Sequence, residues 1–388
     1  MINVFDRIIE RRSSDSIKWQ RYGSEVLPLW VADMDFASPE PVLQALQERI
    51  AHGVFGYGNP PAGLVEAICE RLWQHYAWRV TPDQLLFLPG LVCGLNLVCR
   101  AIGQPGDGVL VQTPVYPPFL SAPRNQDRQL QIAPLAFSQR SGQGYYEPDY
   151  AAIEAAITAR TRLLMLCHPH NPVGRIFSEQ ELVQFAELSH RHDLIICSDE
   201  IHCDLVLEGR HRPLATVDPN VAQRSITLMA PSKTFNLAGL GMSFAIIQNP
   251  SLLKQVQAAA EGIVAHVNVL GFHAALAAYT ECDDWLQALL SYLRANRDYL
   301  ATFVAQHLPG ISMTSPEATY LAWLDCRQAV IEGDPHRFFI QKAKVAFNDG
   351  VTFGPGGEGF VRLNFGCPRA VLVQALERMH AAVSEHLG

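Results

Sequence analysis

From about residue 85 to residue 247 the chain repeats one pattern: a short, unbroken apolar run, then an amphipathic helical stretch. The runs lie at 85–88, 109–112, 163–167, 194–198, 226–229 and 244–247. Each spans four or five residues and does not alternate with polar side chains, as expected of strands buried on both faces. One intervening stretch starts at Ser178, where Ser178 and Glu181 match a capping box. Leu182, Phe185, Ala186 and Ser189 then share one helical face. Strand–helix repetition over this length predicts an α/β class: a three-layer α/β/α unit around a mostly parallel sheet.

The two ends read differently. Residues 1–40 carry a short helical pattern and a Pro/Asp-rich segment. From about 285 a long helical stretch runs to His307 and breaks at Pro309-Gly310; strand-like patches follow at 320–324 and 360–364, then a helix from about Pro368. The expected organisation is a large domain at 41–284 and a smaller, discontinuous α+β domain formed by 1–40 and 285–388. A length of 388 residues is ample for two such cores.

Composition narrows the function classes. Lys and Arg total 30 against 38 Asp and Glu, giving a formal net charge of -8 with no basic block. Such a chain is a poor binder of phosphate backbones, which argues against nucleic acid as a ligand. Nine cysteines stand at irregular spacing with no CxxC pair, the pattern of reduced, buried thiols rather than a disulfide framework or structural zinc. The first fifteen residues carry charge throughout and lack the apolar core of a signal peptide, and no window approaches a membrane span. The cytoplasm is the expected location, with no membrane partner.

Five features carry chemistry, each ambiguous alone. Asp199 follows an apolar run in Ser198-Asp199-Glu200-Ile201-His202, where an acid at a parallel strand's C-terminal end points into the ligand crevice. For an isolated aspartate, a helix cap or a loop acid is the commoner reading. Lys233, in Pro231-Ser232-Lys233-Thr234-Phe235-Asn236, is flanked by small and turn-forming residues that could desolvate its amine. A surface lysine is the commoner fate, and a Ser232/Lys233 dyad is disfavoured because adjacent residues rarely face each other. Asn171, in His168-Pro169-His170-Asn171-Pro172, is held extended by the proline after it. The two histidines lack acidic or cysteine companions at metal-ligand spacing, so they read as structural and no metal is expected. Gly90-Leu91-Val92 joins a strand to a helix, where free N–H groups can cradle a phosphate, although it matches neither the dinucleotide nor the P-loop fingerprint. Arg362 lies in an apolar strand-like patch and is either a carboxylate clamp or half of a structural ion pair.

Taken in order, the Gly90 turn, Asn171, Asp199, Lys233 and Arg362 resemble the fold type I pyridoxal-phosphate enzymes, the aspartate aminotransferase superfamily. Leu29 to Phe36, Gly56-Tyr57-Gly58, His170 to Gly174, Ser198 to His202 and Ser232 to Asn236 are similar to the MalY/PatB-type cystathionine β-lyases, a C–S lyase subgroup. The resemblance implies pyridoxal 5'-phosphate as cofactor, held as a Schiff base by Lys233, which then serves as base at the substrate's α-carbon. It implies that Asp199 pairs with the pyridine nitrogen, Asn171 donates to the phenolic oxygen and Tyr116 stacks on the ring. Leu91 and Val92 N–H groups would hold the phosphate, with Ser232 nearby and Tyr57 contributed by a second subunit of a homodimer with shared sites. Arg362 would clamp the substrate carboxylate, and Ala32 would lie on the substrate side.

Two departures from the wider superfamily stand out. Gly241 replaces a phosphate-binding Arg eight residues after the lysine, and His202 replaces a Tyr three residues after the aspartate. Both look like the C–S lyase subgroup. The implied reaction is α,β-elimination from L-cystathionine or a related cysteine S-conjugate, giving a thiol, pyruvate and ammonia. The alternatives are a class I/II aminotransferase and a regulatory protein on the same fold.

Overall fold

The computed structural model describes residues 4–140 and 142–387. Seven strands form the central sheet: β1 (Leu85–Leu88), β2 (Gly108–Thr113), β3 (Gln129–Pro134), β4 (Thr161–Cys167), β5 (Ile195–Asp199), β6 (Ser225–Met229) and β7 (Ser243–Ile246). Their spatial order is β1-β7-β6-β5-β4-β2-β3. Every pairing among β2 to β6 is parallel, whereas β7 runs antiparallel to both β6 and β1. The mostly parallel sheet expected from the apolar runs is therefore present, with one reversed strand.

Alternation within each strand feeds two cores. Val109, Val111, Met165, Cys197 and Leu228 pack on one face beside Leu95 and Val98 of the helix Leu91–Ala101. Leu110, Leu164, Leu166 and Ile196 pack on the other beside Leu182, Phe185 and Ala186 of the helix Glu179–Arg191. That second helix opens on the capping box read from the sequence: Ser178 Oγ accepts the Glu181 N–H at 3.2 Å, and Glu181 Oε2 accepts the Ser178 N–H at 2.6 Å.

A second, antiparallel sheet contains β8 (Ser312–Met313), β9 (Leu321–Asp325), β10 (Asn348–Asp349) and β11 (Phe360–Asn364), in the order β8-β9-β11-β10. The long helices Asp283–His307 and Arg369–Leu387 share its apolar core through Leu289, Leu293, Leu372 and Leu376. Leu27–Pro28 pairs in parallel with Val345–Ala346, which fastens the N-terminal segment to the C-terminal third.

This frame positions the site. Gly90, Tyr116, Asn171, Asp199 and Lys233 all stand at or just beyond the C-terminal ends of β1, β2, β4, β5 and β6. That is the edge at which open α/β sheets bind ligands. Arg362 reaches the same place from the centre of β11.

Candidate active site

The loop after β6 carries Lys233, whose Nζ donates to the Ala32 carbonyl at 2.5 Å. The buried Tyr320 hydroxyl donates to the same carbonyl at 2.9 Å. The N-terminal segment thus lies directly against the lysine. Asn236 fastens it there: its Nδ2 donates to the Met34 and Phe36 carbonyls and its Oδ1 accepts the Met34 N–H, each at 2.9 Å. Asn236 adopts a φ of 58°, in the left-handed region that asparagine tolerates better than most residues. Asn364 Nδ2 adds bonds of 2.7 Å to the Val31 and Asp33 carbonyls. Beneath the segment, Lys18 is buried against Asp35 at 2.7 Å, while Arg11 bridges Asp33 and Asp35. Burial, and then the charge of Arg362, push the Lys233 amine down to about 8; Asp33 and Asp199 oppose the shift. At neutrality about a tenth of that amine is then unprotonated, far more than at the ordinary lysine value.

Asp199 ends β5 and is buried, with Oδ1 accepting the Ile201 N–H at 3.1 Å. Burial raises its carboxyl to about 7, helped by Glu200 and resisted by Lys233 and by the Ile201 N–H. A carboxylate so placed gains from a cationic partner.

Arg362 is 3% exposed. Its Nη1 donates to Asn171 Oδ1 at 2.9 Å, and its Nη2 donates to the Trp30 carbonyl at 3.0 Å and to Asn348 Oδ1 at 2.5 Å. The guanidinium carbon lies 5.0 Å from the Phe353 ring centroid. All of these partners are neutral, and Nε has none among the described residues. Desolvation pulls the guanidinium down to about 10, with the Tyr116 and Tyr320 phenols opposing. A buried cation without a carboxylate partner is costly and is poised to take up an anion.

The remaining sequence candidates take these places. Asn171 is buried; its carbonyl accepts the Tyr116 N–H at 3.1 Å, so the two residues share one corner. Burial raises the Tyr116 phenol. His202 is buried edge-on to Tyr320 with ring centroids 6.2 Å apart, and its Nδ1 has no partner among the described residues. Burial first, then Lys233 and Arg362, hold its imidazole well below the usual range, so it is neutral. Leu91 and Val92 open an 11-residue helix immediately after Gly90. Their N–H groups are among those a helix start leaves without intrahelical partners. Gly90 has a φ of 149°, and a Cβ there would meet nothing within 4 Å, so the approach to these N–H groups is open. Ser232 is half-buried beside Lys233. Tyr57 projects fully from the chain, with the His266 ring 6.3 Å away.

The two departures have structural reasons. Gly241 has a φ of 54°, and a Cβ there would stand 3.0 Å from the Pro89 carbonyl, so an arginine is not accommodated without strain. His202 fills a buried slot between charged groups, where a neutral ring is tolerated. The histidines His168 and His170 are buried with Nε2 against the Arg212 and Pro114 carbonyls at 3.1 and 2.8 Å. Sequence reasoning did not single out Tyr320, Asn348 or Asn236 for these contacts. Asn236 could have been found from its place in the lysine motif; Tyr320 and Asn348 carry no local signal.

A family model for aminotransferase class I and II matches residues 24–379. Cystathionine beta-lyase PatB of Bacillus subtilis is 38% identical over 391 residues, which cover 98% of this chain and 100% of PatB. The crystal structure of OvoB matches with a TM-score of 0.93 and 45% identity over 98% of this chain and 99% of that one. Cystalysin from Treponema denticola, which contains pyridoxal 5'-phosphate, matches with a TM-score of 0.93 and 33% identity over 99% and 100% of the two chains. An amine depressed toward neutrality, a buried carboxylate and an unpaired guanidinium at the sheet's carboxyl edge agree with these likenesses, and the chain belongs to the class I and II aminotransferase family of fold type I pyridoxal-phosphate enzymes, within the group of PatB- and MalY-type cystathionine beta-lyases.

Proposed function

We propose that the chain is a pyridoxal-phosphate-dependent C–S lyase that performs α,β-elimination on L-cystathionine or a related cysteine S-conjugate. One observation carries the amino-acid chemistry, a buried Arg362, bonded only to neutral groups, in the same site as a Lys233 amine held near 8, and the likeness to cystathionine beta-lyases such as PatB supports the elimination branch of it. Arg362 suits an α-carboxylate and Lys233 an exchangeable amine and base.

The donor set fits the cofactor. Open N–H groups at Leu91 and Val92, with Ser232, suit its phosphate. The raised carboxyl of Asp199 suits its ring nitrogen, Asn171 suits its phenolic oxygen, Tyr116 suits its ring face, and neutral His202 lies alongside. When bound, the cofactor supplies an electron sink for the α-carbon of an amino acid. Lys233 holds it, gives way to the substrate amine, and then takes the α-proton on Nζ. Arg362 fixes the substrate carboxylate and thereby decides which α-bond is activated. The Ala32 carbonyl, held by Tyr320, receives the Lys233 amine between these tasks. The β-carbon–sulfur bond breaks with its electron pair on sulfur, which leaves as a thiol after protonation. The remaining enamine hydrolyses to pyruvate and ammonia.

Transamination needs the same lysine, aspartate and arginine, so the products decide. The purified protein with added pyridoxal phosphate should release pyruvate and homocysteine from cystathionine. Exchange of amino groups with keto acids, without thiol release, would refute the lyase reading.

We also propose a homodimer in which Tyr57 reaches the phosphate of the neighbouring site. Ile50, Val54, Phe55 and Tyr57 are exposed at 54%, 62%, 57% and 102%, an apolar run that a second copy would cover. Sedimentation should give twice the 43.0 kDa chain mass, and Y57F should weaken cofactor binding without changing that state. Residues 41–284 are proposed as one domain, and 1–40 with 285–388 as the other. No helix among the described residues is long and apolar enough to cross a membrane. Nine free cysteines, seven of them buried, support a reducing compartment, the cytoplasm.

A further inference from the structure

The end of β5 delivers two successive carboxylates, and the proposed reaction uses only Asp199. Glu200, wholly buried, has an elaborate setting of its own. Its Oε1 accepts the Ser198 hydroxyl at 2.8 Å and the Leu214 N–H at 3.0 Å. Its Oε2 lies 2.8 Å from His211 Nε2. Three hydrogen-bonding groups thus meet a wholly buried carboxylate directly after the site aspartate, and donors so placed favour its charged form.

His211 carries this arrangement outward. Its ring lies 4.4 Å from that of His168 and 5.6 Å from that of Tyr76, and its Nδ1 has no partner among the described residues. The same residue lines a cleft of about 740 Å³ with Tyr76, Phe177, Glu179 and Arg212. His211 therefore stands between the wall of that cleft and Glu200, next in sequence to Asp199.

The titratable groups around the pair come from several elements. His168 follows β4, Tyr76 ends the helix Leu64–Tyr76, and Cys203 and Asp204 follow in the turn after Glu200. Arg212 is engaged by Glu179, and Asp204 by Arg71. Burial pushes both His168 and His211 down to about 3, so neither is a standing cation that cancels Glu200. Asp199 and, beyond it, Lys233 complete the set.

We propose that Glu200 is a positioning residue whose negative charge keeps a proton on the unit formed by Asp199 and the cofactor ring nitrogen, and that His211 holds Glu200 in its charged form by donating from Nε2 to Oε2. The inference rests on Asp199 facing that nitrogen. Glu200 acts only through Asp199: the two side chains do not touch, but the negative charge of Glu200 raises the proton affinity of the neighbouring carboxyl through space. Burial holds Glu200 itself at about 7, so its influence changes across the neutral range.

The test is a pH titration of the bound cofactor's visible absorption in the reconstituted protein, with the cofactor dissociation constant measured alongside. Glu200→Gln should lower the midpoint of the titration by about one pH unit, the size expected for a unit charge at roughly 10 Å in a protein interior. It should also weaken cofactor binding several-fold. His211→Phe removes one donor, favours the protonated Glu200 carboxyl, and should shift the midpoint in the same direction. His211→Gln restores an N–H toward Oε2 and should stay near the parent. If Glu200→Gln does not fold, the two His211 variants decide. Unshifted midpoints in Glu200→Gln and His211→Phe, with only a lower melting temperature, would make the network purely structural and overturn the proposal. A parental titration in Asp199→Asn would overturn the placement of Asp199 as well, which separates the two failures.

Discussion

Arg362→Lys is the most discriminating single change, because the structure says what it removes and what it spares. The guanidinium commits three N–H donors, to Asn171, Asn348 and the Trp30 carbonyl. Two of its five remain, including the unpartnered Nε–H. Lysine keeps the charge but presents it as a point, without the planar fork. A charge-assisted hydrogen bond is worth ~1.5–3 kcal/mol, so losing one or more at the substrate carboxylate should cost ~2–4 kcal/mol. That corresponds to a fall of about 30- to 1000-fold in kcat/KM. Alanine would be the poorer choice, since it strands three acceptors, the buried Asn171 Oδ1 among them, and mixes folding with binding. The assay pairs two measurements on parent and variant. One is pyruvate release from cystathionine. The other is the affinity for an amino acid and for the matching amine that lacks a carboxylate, read from the bound cofactor's spectrum. The variant should lose affinity for the amino acid and keep it for the amine. Equal losses for both ligands would show that Arg362 does not contact the carboxylate and would remove the observation on which the proposed function rests.

Lys233→Ala should abolish both the Schiff-base absorption and turnover; persistence of either would place the attachment on another lysine. Reconstitution offers a separate check on the amine. Below its shifted value of about 8 the amine is protonated and unreactive, so the rate of covalent cofactor capture by the apoprotein should rise with pH and level off above about 8. A rise centred on the ordinary lysine value of 10.5 would contradict the desolvated site. Asn236→Ala removes three hydrogen bonds that hold residues 34–36 over the lysine and leaves a non-asparagine residue at positive φ. It should cost ~2–3 kcal/mol in chemical denaturation and weaken cofactor retention; an unchanged midpoint would mean the segment is held mainly by Arg11 and Lys18.

The strands that carry the site were legible because burial on both faces leaves unbroken apolar runs, and the 194–198 run lies within one residue of the observed β5 at either end. β3 was missed for the opposite reason. It lies at the sheet edge, and its sequence Gln129-Leu130-Gln131-Ile132 mixes polar and apolar residues. The reversal of β7 was equally invisible, since an apolar run has no direction. Local sequence located Asp199, Asn171 and Lys233 because each follows a strand, and strand ends are where the physics of a parallel sheet puts ligands.

Local signal stops at the contacts that make those residues usable. The lysine amine is received by a carbonyl 201 positions away, and Arg362 is oriented by a carbonyl 332 positions away. Both acceptors, Ala32 and Trp30, lie in one irregular segment that is fixed by Asn236, Asn364 and the Arg11–Lys18 cage. A backbone carbonyl has no residue type, so no pattern could announce it. Its effect is nonetheless specific: it accepts from an amine without contributing a formal charge, which leaves burial and Arg362 free to depress Lys233. A carboxylate in the same place would hold the amine protonated, and the site would lose its base. The N-terminal segment therefore contributes to the chemistry by supplying neutral acceptors to the Lys233 amine and to the buried Arg362 guanidinium.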